Sequence, residues 1–265
     1  MNIFQKITFF MYCVMAGAHS YAAQNGSIED ISLSSHRKAV SIPPSTAQDQ
    51  EEYLHLQKQM ILDEELQFWG VGLFKSQDIF GKGICTLTGS NWSHVGAVLM
   101  GKSGTCYSYE STGDPEQLLE KGILPQVQIQ PFLDVVENYK GNVAKRQFIF
   151  KKDKPDPTTV KHYVLENLGK PYEKDLTHLI KAIHGMNTVE DNTSVFCSEE
   201  VARFMRALKI RNDNNSSENF VPRHFGDIIS QPVFDGDCGG CLGEIEILKE
   251  IKEKNACCFG CCTLL

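Results

Sequence analysis

The stretch "TGSNWSHVGAVLM", residues 88–100, decides how this chain is read. Val95, Ala97, Val98, Leu99 and Met100 make an apolar run after the turn signal Gly89-Ser90-Asn91, so a strand begins at about residue 93. His94 stands at the mouth of that strand, with a Trp-Ser step before it and Val-Gly after it. A polar ring entering a buried strand needs a partner. Taken alone, such a histidine is most simply a structural one held by a hydrogen bond. The residues that change this reading lie elsewhere in the chain.

Working outward, "VGLFKSQD", "SHVGAVLM", "TCYSYES" (105–111), "VQIQPF" (127–132) and "AKRQFIF" (144–150) read as strands. Upstream, residues 48–69 place Tyr53, Leu56, Met60 and Ile61 at helical spacing among acids and glutamines, which predicts an amphipathic helix packed on the body. After the solvated break "KKDKPDPTT" come a helix over Val160–Leu168, a second in "LTHLIKAIHG", and a third opening in "TSVFCSEEVARFMRALKI". Thr193 or Ser194 is available near the start of the third, with Phe204, Leu208 and Ile210 on its apolar side. Mostly antiparallel strands followed by helices predict an α+β fold.

The chain has 265 residues, 42% hydrophobic and 22% charged, enough for one sizeable domain or two small ones. Its net charge of -7, without a basic stripe, argues against a nucleic-acid partner. It carries no internal repeat, P-loop or dinucleotide fingerprint.

Cys197 falls at the start of the predicted third helix. There the positive end of the helix dipole and unpaired backbone N–H groups favour a thiolate and offer an oxyanion site. A buried, inert cysteine is the competing reading. A thiolate nucleophile needs a base, and the base an orienting group. His94 is the candidate base. Glu110, near the end of the strand across the "GKSG" turn, is placed to hold the imidazole.

These residues, with their surroundings "TGSNWSHVGAVL", "YESTGD", "YKGNVAKRQF", "GKPYE", "FCSEEVARFM" and "NFVPRHFGD", resemble the permuted papain-like amidase family of YiiX-like proteins, related to NlpC-type hydrolases and to lecithin:retinol acyltransferase. The resemblance covers about residues 70–228. It implies an antiparallel sheet packed on helices, with the histidine strand preceding the cysteine helix. It also implies Cys197 as nucleophile, His94 as general base and Glu110 as the polar third member. The expected substrate is an amide or an acyl ester, and the chemistry needs no metal or other cofactor. The rival is a non-catalytic lipid- or peptide-binding module on the same fold. Trp92 is expected beside His94, and Tyr172 either lines the cleft or belongs to the core. His162, His178, His184 and His224 read as surface or structural.

Four segments are expected: residues 1–22 as a secretory signal peptide, 23–47 as a polar linker, 48–228 as the hydrolase domain, and 229–265 as a cysteine-rich tail. The alternative for the first is a buried or membrane-anchoring helix. Six of the ten cysteines fall in the last 28 residues. Cys262-Thr263-Leu264-Leu265 reads as a prenylation box on Cys262, with Cys257, Cys258 and Cys261 as palmitoylation candidates and membrane attachment as the consequence. The competing reading pairs Cys238 and Cys241 with Cys258 and Cys261 as a zinc site. Export and prenylation belong to different compartments. A bacterial effector, secreted and then lipidated onto a host-cell membrane, reconciles them, as does a leader that is not cleaved. A periplasmic peptidoglycan amidase fits the leader but not the box.

Overall fold

The computed structural model describes residues 46–113, 123–188, 190, 193–211, 215–226 and 239–251. Within them the fold is α+β. The strands are β1 (Gln67–Ser76), β2 (His94–Met100), β3 (Cys106–Thr112), β4 (Gln126–Pro131), β5 (Gly141–Phe150), β6 (Gly240–Leu242) and β7 (Glu246–Lys249). They form one sheet in the order β4-β3-β2-β1-β5-β6, with β7 also on β5, and every pairing is antiparallel. The helices are α1 (Ala47–Met60), α2 (Ile79–Thr88), α3 (Phe132–Asn138), α4 (Pro157–Asn167), α5 (Leu176–Ile183), α6 (Cys197–Ala207) and α7 (Arg223–Gly226).

Strand alternation divides the buried side chains between two layers. Val71, Leu73, Val95, Ala97, Leu99 and Tyr109 face α4 and α6, meeting Val160, Val164, Val201, Phe204 and Met205 in the main core. Phe74, Val98 and Val143 face the other way, under Phe132, Val135 and Tyr139 around α3.

Several sequence expectations change. The helix expected over 48–69 ends at Met60, and Gln67 already pairs with Met100. Cross-strand pairing of Gln67 and Phe68 outweighs the helical spacing, and Leu56 is exposed while Tyr53 and Gln57 are buried. Helix α2 was hidden by Gly81 and Gly83, which weaken helix propensity. Asp78 caps its start and Gly89, in the left-handed region at φ 66°, ends it. Pro131 ends β4, so Phe132 opens α3 instead of finishing a strand. Neither Thr193 nor Ser194 is the N-cap of α6, which is Phe196. Glu199 Oε2 accepts from the Phe196 N–H at 3.2 Å, and Ser194 Oγ instead donates to Glu173 at 2.8 Å.

Side chains and C-terminal strands reinforce the two ends of the sheet. Beside the terminal strand β4, helix α1 supplies the Gln57 amide oxygen to the Ile129 N–H at 3.0 Å. Gln50 does the same for Leu124 at 3.1 Å. At the far end, β6 and β7 come from the segment the sequence assigns to the tail, and both pair with β5. Arg146, 1% exposed, donates to the carbonyls of Gly243 and Phe225, each at 2.7 Å, and of Leu242 at 3.2 Å.

Candidate active site

The site is assembled at the mouth of β2. His94 opens that strand, Glu110 lies in β3, and Cys197 is the first residue of α6. The register that pairs Ala97 with Tyr109 sets Glu110 beside Gly96. A Cβ at position 96 would lie 3.0 Å from the Glu110 Cβ and 3.2 Å from Ser108 Oγ, so the glycine in "HVG" is the clearance the carboxylate needs. His94 Nε2 then meets Glu110 Oε2 at 2.6 Å. The Phe74 ring, with its centroid 5.3 Å from that of the imidazole, backs the histidine. Trp92 is buried against Gly226 of α7, next to the strand entry.

Helix α6 arrives from the opposite layer, bringing Cys197, 5% exposed, to the imidazole. Burial pushes the thiol up. The charge on His94, its hydrogen bond to the sulfur, and the backbone N–H groups of Val95 and Ser198 outweigh this and lower it. For His94, burial works against the charged ring. The neighbouring Cys197 thiolate and its hydrogen bond, followed by Glu110, carry it up to about 10. The two shifts run in opposite directions, and each favours the charged form of its group through the other.

The start of α6 is held rigidly. Ser198 Oγ donates to the Phe220 carbonyl at 2.7 Å. Glu199 caps the helix and pairs with Arg203 at 2.5 Å, while Tyr109 donates to Glu200. Both acids are buried, so α6 is a core helix that carries charges inside rather than a half-exposed one. Burial raises Glu199 to about 7, against the pull of Arg203.

A cleft of about 480 Å³ opens over these residues. Its apolar walls come from Phe80 and Ile84 of α2, Val135 of α3, Leu179 of α5 and Phe196. Tyr172 lines it, edge-on to Phe196 with centroids 5.9 Å apart. Burial, and then the charge at Cys197, raise the Tyr172 phenol well above its ordinary value. The structure therefore brings together all three residues singled out in the sequence. Sequence reasoning missed Gln128, which also lines the cleft and whose one signal is the alternation in "VQIQP". It also missed the Val95 N–H, a backbone group without a sequence signature.

His162, His178, His184 and His224 do not line this cleft. His162 is an exposed partner of Glu166, and His178 pairs with Glu173 at 3.3 Å. His184 caps the end of α5. His224 Nδ1 accepts from the Val221 N–H at 3.1 Å, and burial followed by Arg223 lowers it to about 4. Cys238, Cys257, Cys258, Cys261 and Cys262 lie outside the described residues, as do segments 1–22 and 23–45. Among the described residues, no group of three or more His, Cys, Asp or Glu could hold a metal ion. No described helix is long and apolar enough to cross a membrane.

No family model and no curated protein sequence matches the chain. Among solved structures it is similar to the crystal structure of metalloprotein yiiX from Escherichia coli O157:H7, DUF1105, at 14% identity and a TM-score of 0.39, over 71% of this chain and 98% of that one. A likeness of that size carries no argument about family or chemistry, and the site stands on its own geometry.

Proposed function

We propose that this chain is a cysteine-dependent hydrolase or acyltransferase on a permuted papain-like fold, acting on an amide or ester through a thioester at Cys197. One observation carries the reading: a buried sulfur with a lowered pKa touches an imidazole that a carboxylate holds at 2.6 Å, at the base of a cleft.

The steps follow from that arrangement. Sγ of Cys197 attacks the substrate carbonyl carbon, and the carbonyl oxygen takes the negative charge. Backbone N–H groups at the start of α6 are the donors for that oxyanion, aided by the helix dipole. Collapse forms the thioester and breaks the bond to the leaving amine or alcohol, which takes a proton from the His94 imidazolium. Water, or an acceptor nucleophile, then attacks the thioester while His94 accepts its proton. The released carboxylate or transferred acyl group restores the thiolate–imidazolium pair. With Nε2 engaged by Glu110, Nδ1 is the ring nitrogen free to exchange the proton, and the carboxylate keeps that tautomer.

Alkylation of the protein by iodoacetamide at pH 7, followed by peptide mapping, tests the reading together with turnover of p-nitrophenyl esters. Cys197 is expected to react well ahead of Cys85, Cys106 and Cys241 and to lose that lead in His94→Ala. Cys197→Ala is expected to stop turnover while the protein stays folded. Labelling of Cys197 no faster than of the other cysteines, with no ester turnover, would leave a binding module instead.

A further inference from the structure

Most polar groups in the cleft are already occupied within the protein. Ser93 Oγ donates to the Phe74 carbonyl, and Ser198 Oγ to that of Phe220. Asp78 accepts from Ser76 Oγ and the Gly81 N–H. Glu173 accepts from Ser194 Oγ at 2.8 Å and the Asp175 N–H at 2.6 Å. Groups so engaged have little left for a ligand.

Two cleft-lining side chains on neighbouring strands, Glu110 and Gln128, behave differently. Glu110 uses Oε2 on His94, and its Oε1 has no partner among the described residues. Gln128 lies directly across from it in the β3–β4 register, so the two side chains leave the sheet on one face. The Gln128 amide oxygen accepts from Tyr53 Oη at 3.3 Å and from Gln130 Nε2 at 3.4 Å. Gln130 Nε2 also donates to Tyr53 Oη at 2.7 Å, so a hydroxyl from α1 locks the three side chains together. That orientation leaves the Gln128 Nε2 hydrogens without an acceptor among the described residues. Both residues are almost wholly buried, Glu110 5% exposed and Gln128 1%. Buried donors and acceptors are rarely left unpaired in a finished complex.

We propose that Gln128 Nε2 and Glu110 Oε1 form a subsite for an amide group next to the bond being broken, Gln128 donating to its carbonyl and Glu110 accepting from its N–H. Gln128 is then a specificity-determining residue. The assignment rests on the hydrolase reading and narrows its substrate to acyl groups that carry an amide, as peptides and N-acylated amino acids do, over simple alkanoyl esters. A plain hydrocarbon at that place would bury a donor and an acceptor with nothing to satisfy them. Tyr53 is a positioning residue, acting through the amide oxygen of Gln128.

The test compares kcat/KM for p-nitrophenyl N-acetylglycinate and for p-nitrophenyl pentanoate, which have acyl chains of equal length with and without the amide. Wild type is expected to prefer the amide-bearing ester. Gln128→Leu, close in volume, is expected to lower that preference about tenfold, the ratio expected for one hydrogen bond made to only one of the two substrates. Tyr53→Phe is expected to lower it in the same direction by less, and it carries the test if Gln128→Leu does not fold. A merely structural role would reduce both esters together and leave the ratio alone. An unchanged ratio in a variant that still turns over both esters would overturn the subsite only. A wild type that turns over neither ester would overturn the hydrolase reading and the subsite with it.

Discussion

Gly96→Ala is the sharpest probe of how the site is built. The added methyl carbon would stand 3.0 Å from the Glu110 Cβ, 3.2 Å from Ser108 Oγ and 3.3 Å from the Tyr109 carbonyl oxygen. The first neighbour is fixed to the backbone of β3 and cannot turn aside, so β2 and β3 must part by several tenths of an ångström. Overpacking of this kind costs about 1–3 kcal/mol, whereas replacing a strand glycine by alanine returns about 0.5–1 kcal/mol. Three simultaneous close contacts favour the upper half of the first range, leaving a net loss of about 1–2.5 kcal/mol. For a domain of this size that lowers Tm by about 2–10 °C. Because the strain falls on Glu110, the 2.6 Å contact with His94 should lengthen and turnover should fall by more than stability alone explains. Differential scanning calorimetry with p-nitrophenyl ester kinetics reads both effects. A Gly96→Ala protein with wild-type Tm and wild-type kcat would show that the glycine clears nothing and that the carboxylate is not held as described.

Other expectations are as direct. Iodoacetamide should reach Cys197 at pH values below those at which an ordinary thiol reacts, because its pKa is lowered, and His94→Ala should move the alkylation profile upward, since burial alone raises the thiol. His224 is held at about 4 against 6.5 for an unperturbed ring, so the unfolded chain takes up the proton first as pH falls. The folded state should therefore lose about 2–3 kcal/mol between pH 6.5 and 4, a loss that urea denaturation should find flattened in His224→Asn. Arg146→Met strips the donors from three carbonyls, at 2.7, 2.7 and 3.2 Å, and should cost about 3–5 kcal/mol. Hydrogen exchange should then rise first in β6 and β7.

Much of the sheet was legible because its strands alternate and their turns carry glycine, as in "GKSG" between β2 and β3. The three site residues were legible for chemical reasons: a cysteine opening a helix, and a histidine and a carboxylate on strands joined by a tight turn. Gln128 was not, because a glutamine in "VQIQP" looks like a solvent-facing strand position, and only α1 folding over β4 makes it buried. Nor does the sequence show the burial of Glu199 and Glu200, which meet Arg203 and Tyr109 inside. α2 and α3 escaped for local reasons, two glycines in one and a proline boundary before the other.

The glutamines of α1 have a practical consequence. Gln50 and Gln57 occupy backbone donors beside an outermost strand whose other outward groups, at Val127, are already met by Gly169 and Lys170. A fragment trimmed to begin at β1 would keep Cys197, His94 and Glu110 yet leave the Ile129 N–H without its glutamine partner. It would also lose Tyr53, so its cleft would lack the latch on Gln128.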